Sequence, residues 1–417
     1  MITRRLLALT GASALASALA LRSPAALAQD PPAVVPVPVV PPVAVVRPAA
    51  VEKAIIAASQ QKLAHELITR LANDKPGTSV ALSPMSAFLA LAIVAQGGDE
   101  HLRQSMNEAL QLKHGKPVPG GMFAAVLAEL AQAAAASPLV LANGLVLDPA
   151  MKPVAQKVAD LKALGIEVSE EALDTPEALK HINDWVSAKT RGLIPSILDE
   201  APQSGGLVAL NALYFKDRWK SPFKPEKTED KPFTGIDMKE SAVPMMHQDG
   251  SFRFRQGKSL IGIDLDFADP RFGLVIVTTT EKPATGAFLA KAANNWLLGQ
   301  KFQFLPGSIS MPRLQLETTN DLLAHLRSLG LKEEAKSLQG FGATAPRITA
   351  ISQRAVLKLD EEGAEAAAAT AVTATRGIDS NHIQMDVNKP YLYALRDKST
   401  GFVILAGYVA RPGAAKA

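Results

Sequence analysis

Cysteine is absent from this chain of 417 residues. Its absence excludes disulfide bonds, thiolate catalysis, cysteine-ligated zinc, iron–sulfur clusters and a lipid-modified cysteine near the N-terminus. A chain without cross-links has to be stabilised by the packing of its core. Hydrophobic residues make up 47% of the sequence and charged residues 20%, which suits a large core and excludes disorder of the whole chain.

An excess of charge of either sign is also missing. The sequence holds 44 Lys and Arg residues against 40 Asp and Glu residues, for a formal net charge of +4. Residues 1–28 contain Arg4, Arg5 and Arg22 but no acid, so residues 29–417 carry a net charge of +1. A nearly neutral protein has no overall field that would attract nucleic acid or an anionic membrane. We therefore expect no nucleic-acid partner.

Sequence motifs of the common enzyme classes are missing as well. The chain contains no Gly-x-Ser-x-Gly elbow, no phosphate-binding loop that ends in Gly-Lys-Ser/Thr and no His-Glu-x-x-His pair. The Ser-x-x-Lys match from Ser59 to Lys62 lacks its companion motifs, and the seven histidines show no metal-ligand spacing. The sequence therefore predicts no catalytic residue, no metal site and no cofactor.

Residues 1–28 have the order of a secretory signal peptide. A basic start with Arg4 and Arg5 precedes an apolar stretch over 6–21 and the cleavage pattern Ala26-Leu27-Ala28. The apolar stretch is too short and too diluted for a membrane-spanning helix, so we expect no integral membrane segment in the mature chain. The pattern predicts export to the periplasm or the extracellular space. The paired arginines resemble a twin-arginine signal, but general secretory signals also carry such pairs, and the export route stays open.

Residues 29–50 are rich in proline and valine. Seven of the twenty residues from 29 to 48 are proline. Proline fixes φ and lacks a backbone donor, so such a stretch favours an extended polyproline conformation over a core element. The composition therefore predicts a linker.

Residues 51–413 are typical of one large α+β domain. Apolar spacing predicts helices over 51–73 and 182–198, an alanine-rich helix over 121–136, and a helix that begins at Ser83-Pro84 and ends at Gly97-Gly98. Strand-like runs dominate the second half, at 207–215, 252–255, 261–267, 272–280, 308–316, 355–359, 383–387, 391–395 and 402–409. Helices followed by strands, without an internal repeat or linker, favour an α+β fold.

Residues 361–377 form the most unusual segment, Glu-Glu-Gly-Ala-Glu-Ala-Ala-Ala-Ala-Thr-Ala-Val-Thr-Ala-Thr-Arg-Gly. The segment lies between two predicted strands, where a long exposed loop belongs. Read with a period of two, the face that runs from Ala364 to Ala374 is small and uncharged, and Glu365 lies on the other face. Small side chains also fit into a sheet that is already packed. The composition therefore permits both an exposed loop and a buried central strand.

This segment resembles the hinge and reactive-centre loop of serpins, where Glu-Glu-Gly-Thr-Glu-Ala-Ala-Ala-Ala-Thr is usual. The similarity covers almost all of residues 51–413. The further matching motifs, in order, are Ser83-Pro84-Met85-Ser86, Ile182-Asn183-Asp184-Trp185-Val186 with Thr190-Arg191-Gly192-Leu193-Ile194, Leu210-Asn211-Ala212-Leu213-Tyr214-Phe215-Lys216 with Trp219, Val243-Pro244-Met245-Met246, and Asn388-Lys389-Pro390-Tyr391 with Gly401 and Gly407. On these motifs the chain is identified as a member of the serpin family, of a bacterial, inhibitory type.

The resemblance implies the serpin fold, which has a helix-rich N-terminal half, a large central mixed sheet, two further sheets and an exposed reactive-centre loop. It also assigns functional regions. The shutter beneath the central sheet corresponds to Ser83, Ser86, Asn211 and Gln353, and the breach corresponds to Trp219. The hinge corresponds to Glu362, Gly363, Ala364, Glu365, Ala366, Ala367, Ala368, Ala369 and Thr370. Ala364 and Ala366 are expected to become buried only when the hinge inserts into the central sheet.

Two positions depart from the family pattern. Ala364 stands where Thr or Ser is usual, and its small uncharged side chain is compatible with insertion. Gln353 stands where histidine is common, and glutamine donates and accepts hydrogen bonds but does not titrate near neutral pH. We therefore expect a polar network of Gln353 with Ser83, Ser86 and Asn211, and no pH-linked shutter.

The resemblance implies an irreversible suicide-substrate inhibitor of serine proteases, which acts as a monomer and contributes no catalytic residue. The family's spacing from Gly363 places the residue before the scissile bond at Gly377. We prefer the bond between Arg376 and Gly377, because Arg376 is the only specificity-bearing side chain nearby. Arginine favours a trypsin-like protease, whereas the surrounding Thr, Ala and Gly residues suit an elastase- or subtilisin-like enzyme. The alternative is a non-inhibitory serpin that serves as a binding or storage module.

Overall fold

The computed structural model describes residues 50–75, 77–112, 138–293, 295–334, 336–344, 346–364 and 382–412. These residues all belong to one compact unit, Val43–Ala417. The predicted signal peptide, most of the linker, the alanine-rich helix expected over 121–136 and the segment 365–381 lie outside the described residues.

The described residues contain seven α-helices. They are α1 (Ala50–Asp74), α2 (Pro84–Ala95), α3 (Glu100–Ala109), α4 (Ala155–Ala163), α5 (Pro176–Lys189), α6 (Gly286–Ala292) and α7 (Leu323–Ser328). The first two confirm the helices predicted near 51–73 and after Ser83.

Five strands form a mixed sheet. Its order is β11 (Leu314–Asp321), β12 (Arg347–Leu359), β4 (Gly206–Phe215), β2 (Leu139–Leu147) and β3 (Glu167–Glu170). Strands β4 and β12 are direct neighbours and run parallel, paired from Gly206 opposite Arg347 to Leu213 opposite Ala355. The β11–β12 and β2–β4 pairs are antiparallel, and β2 and β3 are parallel.

A nine-stranded sheet contains most of the second half of the chain. Its order is β1 (Val80–Leu82), β16 (Val403–Val409), β15 (Tyr391–Asp397), β9 (Phe272–Thr279), β8 (Leu260–Asp266), β7 (Glu240–Gln256), β10 (Gln303–Pro312) and β14 (Ile383–Asp386), with β6 (Glu229–Thr234) paired to β7. Two short strands, β5 (Asp217–Arg218) and β13 (Gly363–Ala364), form a separate antiparallel pair.

Helix α2 lies between the two large sheets, where it contacts β4, β12 and β16. Its twelve residues are all buried, as is typical of a helix that is apolar all round. Ser83 caps the helix, because its Oγ accepts a hydrogen bond from the Ser86 N–H at 3.0 Å, and Pro84 occupies the first helical position.

The helix predicted over 182–198 is α5, which both begins and ends earlier. Thr175 caps it, and Pro176 occupies its first turn. It ends at Lys189 because Arg191 and Gly192 have positive φ angles of 56° and 78°. Its apolar side packs on the face of β4 that carries Val208, Leu210 and Ala212, opposite to the face that α2 covers.

The single strand predicted over 308–316 is two strands, β10 and β11. The chain passes from the nine-stranded sheet to the five-stranded sheet at Arg313, so the run of strand-like residues is divided between them. Strand β2 was not predicted, because Asn143-Gly144 at its centre is a turn signal in sequence. In the sheet, Asn143 lies opposite Asn211 and Gly144 makes room for Trp185 of α5.

Candidate functional site

The start of the hinge is docked against the segment that follows β4. Strand β13 pairs with β5, so that Gly363 lies opposite Arg218 and Ala364 opposite Asp217. Ala364 is 1% exposed, although β4 and β12 still pair directly with each other. The expectation that Ala364 becomes buried only on insertion is therefore wrong, because pairing with β5 already buries its methyl group. The remaining hinge residues, 365–370, lie outside the described residues.

Asp360 forms the turn that directs the hinge towards β5. Its Oδ1 accepts hydrogen bonds from the N–H groups of Glu362 at 3.0 Å and Gly363 at 3.3 Å, and its own N–H donates to the Gly363 carbonyl at 2.9 Å. Aspartate forms such turns because its short side chain reaches backbone donors two and three residues ahead. Asp360 was not predicted from the sequence, although an Asp three residues before a Gly is a turn signal.

Trp219, the predicted breach residue, is buried and holds the backbone of the same turn. Its indole Nε1 donates to the Asp360 carbonyl at 2.9 Å, and its backbone N–H donates to the Glu362 carbonyl at 2.8 Å. The indole ring stacks on Phe267, with centroids 4.6 Å apart and an interplanar angle of 13°. The tryptophan therefore links the start of the hinge to the core of the nine-stranded sheet.

Glu361 is a buried carboxylate at the junction of β12 and the hinge. Arg313 donates to it from Nη2 at 2.8 Å and from Nε at 2.9 Å, and Thr228 Oγ1 donates at 2.5 Å. Burial acts to raise the pKa of Glu361, but the hydrogen bonds from Arg313 and Thr228 outweigh it, and the pKa lies below its usual value. Arg313 and Thr228 were missed in sequence because they are distant in the chain and carry no local motif.

We expect Glu361→Gln to destabilise the protein at neutral pH and to do so less in acid. A carboxylate whose folded pKa is lowered stabilises the protein above its unfolded pKa, about 4.3, and loses that contribution as the pH falls through the folded pKa. Loss of the charged hydrogen bonds should cost about 2 kcal/mol at pH 7. Thermal unfolding at pH 7 and pH 3 measures the difference, which should shrink in acid. Glu240→Gln, at an exposed position, is the control. A pH-independent difference would contradict the assignment.

Gly363 occupies a position that no other residue fits. Its φ is +146°, and a Cβ atom would lie 2.3 Å from the Asp217 carbonyl oxygen and 2.7 Å from the Trp219 nitrogen. We expect Gly363→Ala to lower the free energy of unfolding by about 2–3 kcal/mol and to undock the hinge from β5.

The control for Gly363→Ala is Gly165→Ala. Gly165 also has a positive φ, +78°, but a Cβ atom there would contact nothing within 4 Å. Gly165→Ala therefore introduces backbone strain without a steric clash, and it should lower the free energy of unfolding by about 1 kcal/mol. Chemical denaturation of both variants measures the two losses. Equal losses would show that the contact with Asp217 does not hold the hinge.

Three of the predicted shutter residues meet beneath the five-stranded sheet. Gln353 Oε1 accepts from the Ser83 N–H at 2.7 Å, and Gln353 Nε2 donates to the Ser83 carbonyl at 2.6 Å. Ser86 Oγ donates to Ser83 Oγ at 2.8 Å. All three residues are buried. The glutamine side chain thus pairs with the backbone of Ser83 in the manner of a strand and joins β12 to the start of α2.

Asn211 is buried but makes no hydrogen bond with that group. It lies opposite Gln353 across the β4–β12 pair, and its Nδ2 donates at 2.5 Å to Oδ1 of Asn143 on β2. The expectation of one network that includes Asn211 is therefore wrong, because the Asn211 side chain turns to β2. Asn143 is the partner that the sequence analysis missed.

Arg376 and Gly377, the predicted reactive bond, lie outside the described residues. The described strands on either side of them are β13 and β14. The segment 365–381 leaves from β13 at the end of β12 and enters β14, which pairs in parallel with β10. Strands β4 and β12 of the five-stranded sheet are in direct contact with each other.

Comparison with known families decides what these elements are. The sequence model of one family, Serpin (serine protease inhibitor), matches residues 58–412. The chain belongs to the serpin family. The five-stranded sheet with β4 and β12 at its centre is therefore the central sheet of a serpin.

Individual serpins are similar to this chain over most of their length. Serpin B8 from Bos taurus is 29% identical over 371 residues, which cover 84% of this chain and 97% of the relative. Leukocyte elastase inhibitor from Sus scrofa is 27% identical over 376 residues, which cover 86% and 99%. Antithrombin-III from Mus musculus is 27% identical over 387 residues, which cover 86% and 82%.

Solved serpin structures share the fold. The thermophilic serpin Tengpin in its native state matches with a TM-score of 0.77 at 21% identity, covering 88% of this chain and 96% of Tengpin. Human thyroxine-binding globulin matches with a TM-score of 0.76 at 21% identity, covering 88% and 100%. The predicted α+β serpin fold is thereby confirmed. No helix among the described residues is both long and apolar enough to span a membrane.

Proposed function

We propose that this serpin is an irreversible suicide-substrate inhibitor of serine proteases. The observation that carries the proposal is the direct pairing of β4 and β12 beside a docked hinge whose following residues are small on one face. A further strand can enter this sheet only if β4 and β12 separate. A strand inserted between β4 and β12 would pair on both of its edges, which stabilises the inserted state.

The chemistry in this mechanism belongs to the target protease. Its serine attacks the carbonyl of Arg376, the peptide bond to Gly377 breaks, and an ester joins the two proteins while the new amino terminus departs. The freed hinge then extends from Ala364 between β4 and β12. Insertion moves the attached protease along the sheet before water can hydrolyse the ester.

The described contacts define what insertion must break. The β4–β12 ladder from Gly206–Arg347 to Leu213–Ala355 has to open, and the Gln353–Ser83 pair lies beneath it. Helix α5 covers the outer face of the same strands through Ile182 and Val186. We propose that the shutter and α5 set the barrier to insertion.

We further propose a trypsin-like target, export from a bacterial cell and action as a monomer. Arg376 as the residue before the scissile bond supports a target with an acidic specificity pocket. An elastase- or subtilisin-like target with cleavage after Gly377 is the alternative. The order of charged, apolar and small residues in 1–28, including the twin-arginine-like start, supports export to the periplasm or extracellular space.

Incubation with trypsin tests the inhibitory mechanism. We expect a covalent complex that survives denaturing gel electrophoresis, and we expect the cleaved inhibitor to melt at a much higher temperature than the intact protein. Trypsin whose catalytic serine is replaced by alanine is the control and should form no such complex. Cleavage without a complex and without a rise in melting temperature would instead support the binding or storage module, a class suggested by the fold it shares with thyroxine-binding globulin.

A further inference from the structure

A crevice opens where strands β7 and β8 separate. The two strands pair from Gln256 opposite Ile261 to Arg253 opposite Asp264, and beyond that point they diverge. The crevice has a volume of about 100 Å³. The segment 219–223 closes one side, with the Lys220 N–H bonded to the Asp266 carbonyl at 2.9 Å.

Four of the twelve residues that line the crevice are aromatic. They are Trp219, Phe223, Phe252 and Phe304. Phe304 is 68% exposed, whereas Trp219 and Phe223 are each 3% exposed. An apolar cavity of about 150 Å³ holds a whole benzene molecule, so a crevice of about 100 Å³ encloses only part of one ring and leaves the rest of the ligand at its open mouth. An exposed aromatic ring at the mouth would be covered by such a ligand.

The charges at the crevice favour an anion. Lys220 and Arg253 line the crevice together with Asp264 and Asp266, so the lining itself is neutral. Arg396 and Lys398, which do not line the crevice, pair with the same two aspartates, and the whole group of six side chains therefore carries two uncompensated positive charges. Each carboxylate is already paired through one oxygen: Asp264 Oδ2 accepts from Arg396 at 2.6 Å and Arg253 at 2.9 Å, and Asp266 Oδ1 accepts from Lys398 at 2.7 Å. Asp264 Oδ1 is buried and accepts no hydrogen bond from the residues that the structure describes.

Two donors remain available to a ligand. The Lys220 ammonium group is 3.8 Å from Asp266, beyond hydrogen-bond distance, and its side chain is 70% exposed. Arg253 uses Nε and Nη2 for the two aspartates, and its Nη1 donates to no residue that the structure describes. An arginine held by two carboxylates is fixed in orientation and presents its free N–H groups at little entropic cost.

We propose that this crevice binds a small aromatic carboxylate. The ring packs among Phe252, Phe304 and Phe223, and the carboxylate accepts hydrogen bonds from Lys220 and Arg253. Attraction between unlike charges in a partly desolvated site and burial of one aromatic face supply the affinity.

The crevice and the hinge share one wall. The N–H groups of Trp219 and Phe223, which line the crevice, donate to the carbonyls of Glu362 and Glu361, each at 2.8 Å. A ligand that orders the segment 219–223 therefore also favours the docked hinge, and by linkage the docked hinge favours the ligand. This coupling concerns the intact protein and does not require protease inhibition.

Phenylacetate is the probe. Titration followed by saturation-transfer NMR should give a Kd on the order of 0.1–1 mM for a ligand of about ten non-hydrogen atoms. Neutral phenylacetamide should bind roughly tenfold more weakly, and the cation 2-phenylethylammonium should not compete. Absence of saturable phenylacetate binding, or equal binding of the three compounds, overturns the proposal.

Single substitutions test whether phenylacetate binds in this crevice. Lys220→Ala and Phe304→Ala change exposed side chains and should each weaken phenylacetate binding by about five- to tenfold. The matched controls are Lys224→Ala and Phe288→Ala, at exposed positions that do not line the crevice, and they should leave the Kd unchanged. Unchanged binding in both Lys220→Ala and Phe304→Ala places the site elsewhere and overturns the assignment.

A separate pair of variants tests the coupling between the crevice and the hinge. Gly363→Ala, which removes the fit of the hinge to β5, should raise the phenylacetate Kd by roughly fivefold or more, within the usual range of coupling between sites. Gly165→Ala should not change it. An unchanged Kd in Gly363→Ala overturns the link between crevice and hinge. None of these measurements uses a protease, so a failure here is distinct from a failure of the inhibitory mechanism.

Discussion

Replacement of Arg376 by alanine should lower the rate of trypsin inhibition by about three orders of magnitude. Arg376 is the only long cationic side chain between Thr370 and His382. A trypsin-like protease recognises its substrate by pairing this cation with a buried carboxylate, and a missing partner leaves that carboxylate unpaired at a cost of several kcal/mol. The second-order rate constant for inhibition measures the loss. Activity against elastase- or subtilisin-like proteases should persist or increase.

Arg376→Lys is the matched control, because it keeps the charge and should retain most of the trypsin inhibition. Mass spectrometry of the small C-terminal fragment that the wild-type protein releases should give a first residue of Gly377. A fragment that begins at Ile378, together with full activity of Arg376→Ala against its best target, would move the reactive bond by one residue and change the target class.

If this serpin is the inhibitor that we propose, Ala366→Arg should make it a substrate of its target protease instead. In the alternating pattern that begins at Ala364, Ala366 belongs to the face that becomes buried when the hinge lies between β4 and β12. Burial of an unpaired guanidinium costs several kcal/mol or more, so insertion should become slower than hydrolysis of the acyl-enzyme. The stoichiometry of inhibition, measured with trypsin on denaturing gels, should rise at least about tenfold.

Ala367→Arg is the matched control for Ala366→Arg. It introduces the same side chain one residue later, on the opposite face of the inserted strand, which in this segment also carries Glu365, and it should leave inhibition nearly unchanged. The structure makes Ala366 a better choice than Ala364 for this experiment. Ala364 is already buried against β5, so Ala364→Arg would also destabilise the intact protein. Equal loss of inhibition in Ala366→Arg and Ala367→Arg would show that the assumed register is wrong.

Local sequence determined several features of this protein by itself. Ser83 and Pro84 begin α2 as predicted, because a helix start depends on a cap and a fixed φ within one turn. The strand-rich second half and the α+β class follow from the pattern of apolar residues. The composition of residues 361–377 permits both an exposed loop and a buried strand, and its assignment as a hinge came from the resemblance of this segment to that of serpins.

The ends of helices and strands were predicted less well wherever contacts between distant parts of the chain determine them. The chain leaves one sheet for another at Arg313, so a continuous strand pattern became β10 and β11. Asn143-Gly144 forms part of β2 despite its turn-like sequence, because pairing with β4 and packing against Trp185 outweigh the local preference.

Only the tertiary structure decided how the functional residues meet. The contact of Gln353 with Ser83, expected from the family resemblance, forms across 270 positions in the chain, whereas the pairing of Arg313 with Glu361 across 48 positions was not predicted. Such pairs depend on long-range strand order, which leaves no periodic signal in the sequence. The same reason explains the two errors at the site: Asn211 turns to β2, and Ala364 is buried before any insertion, because its environment is set by β5 and not by its own neighbours in the chain.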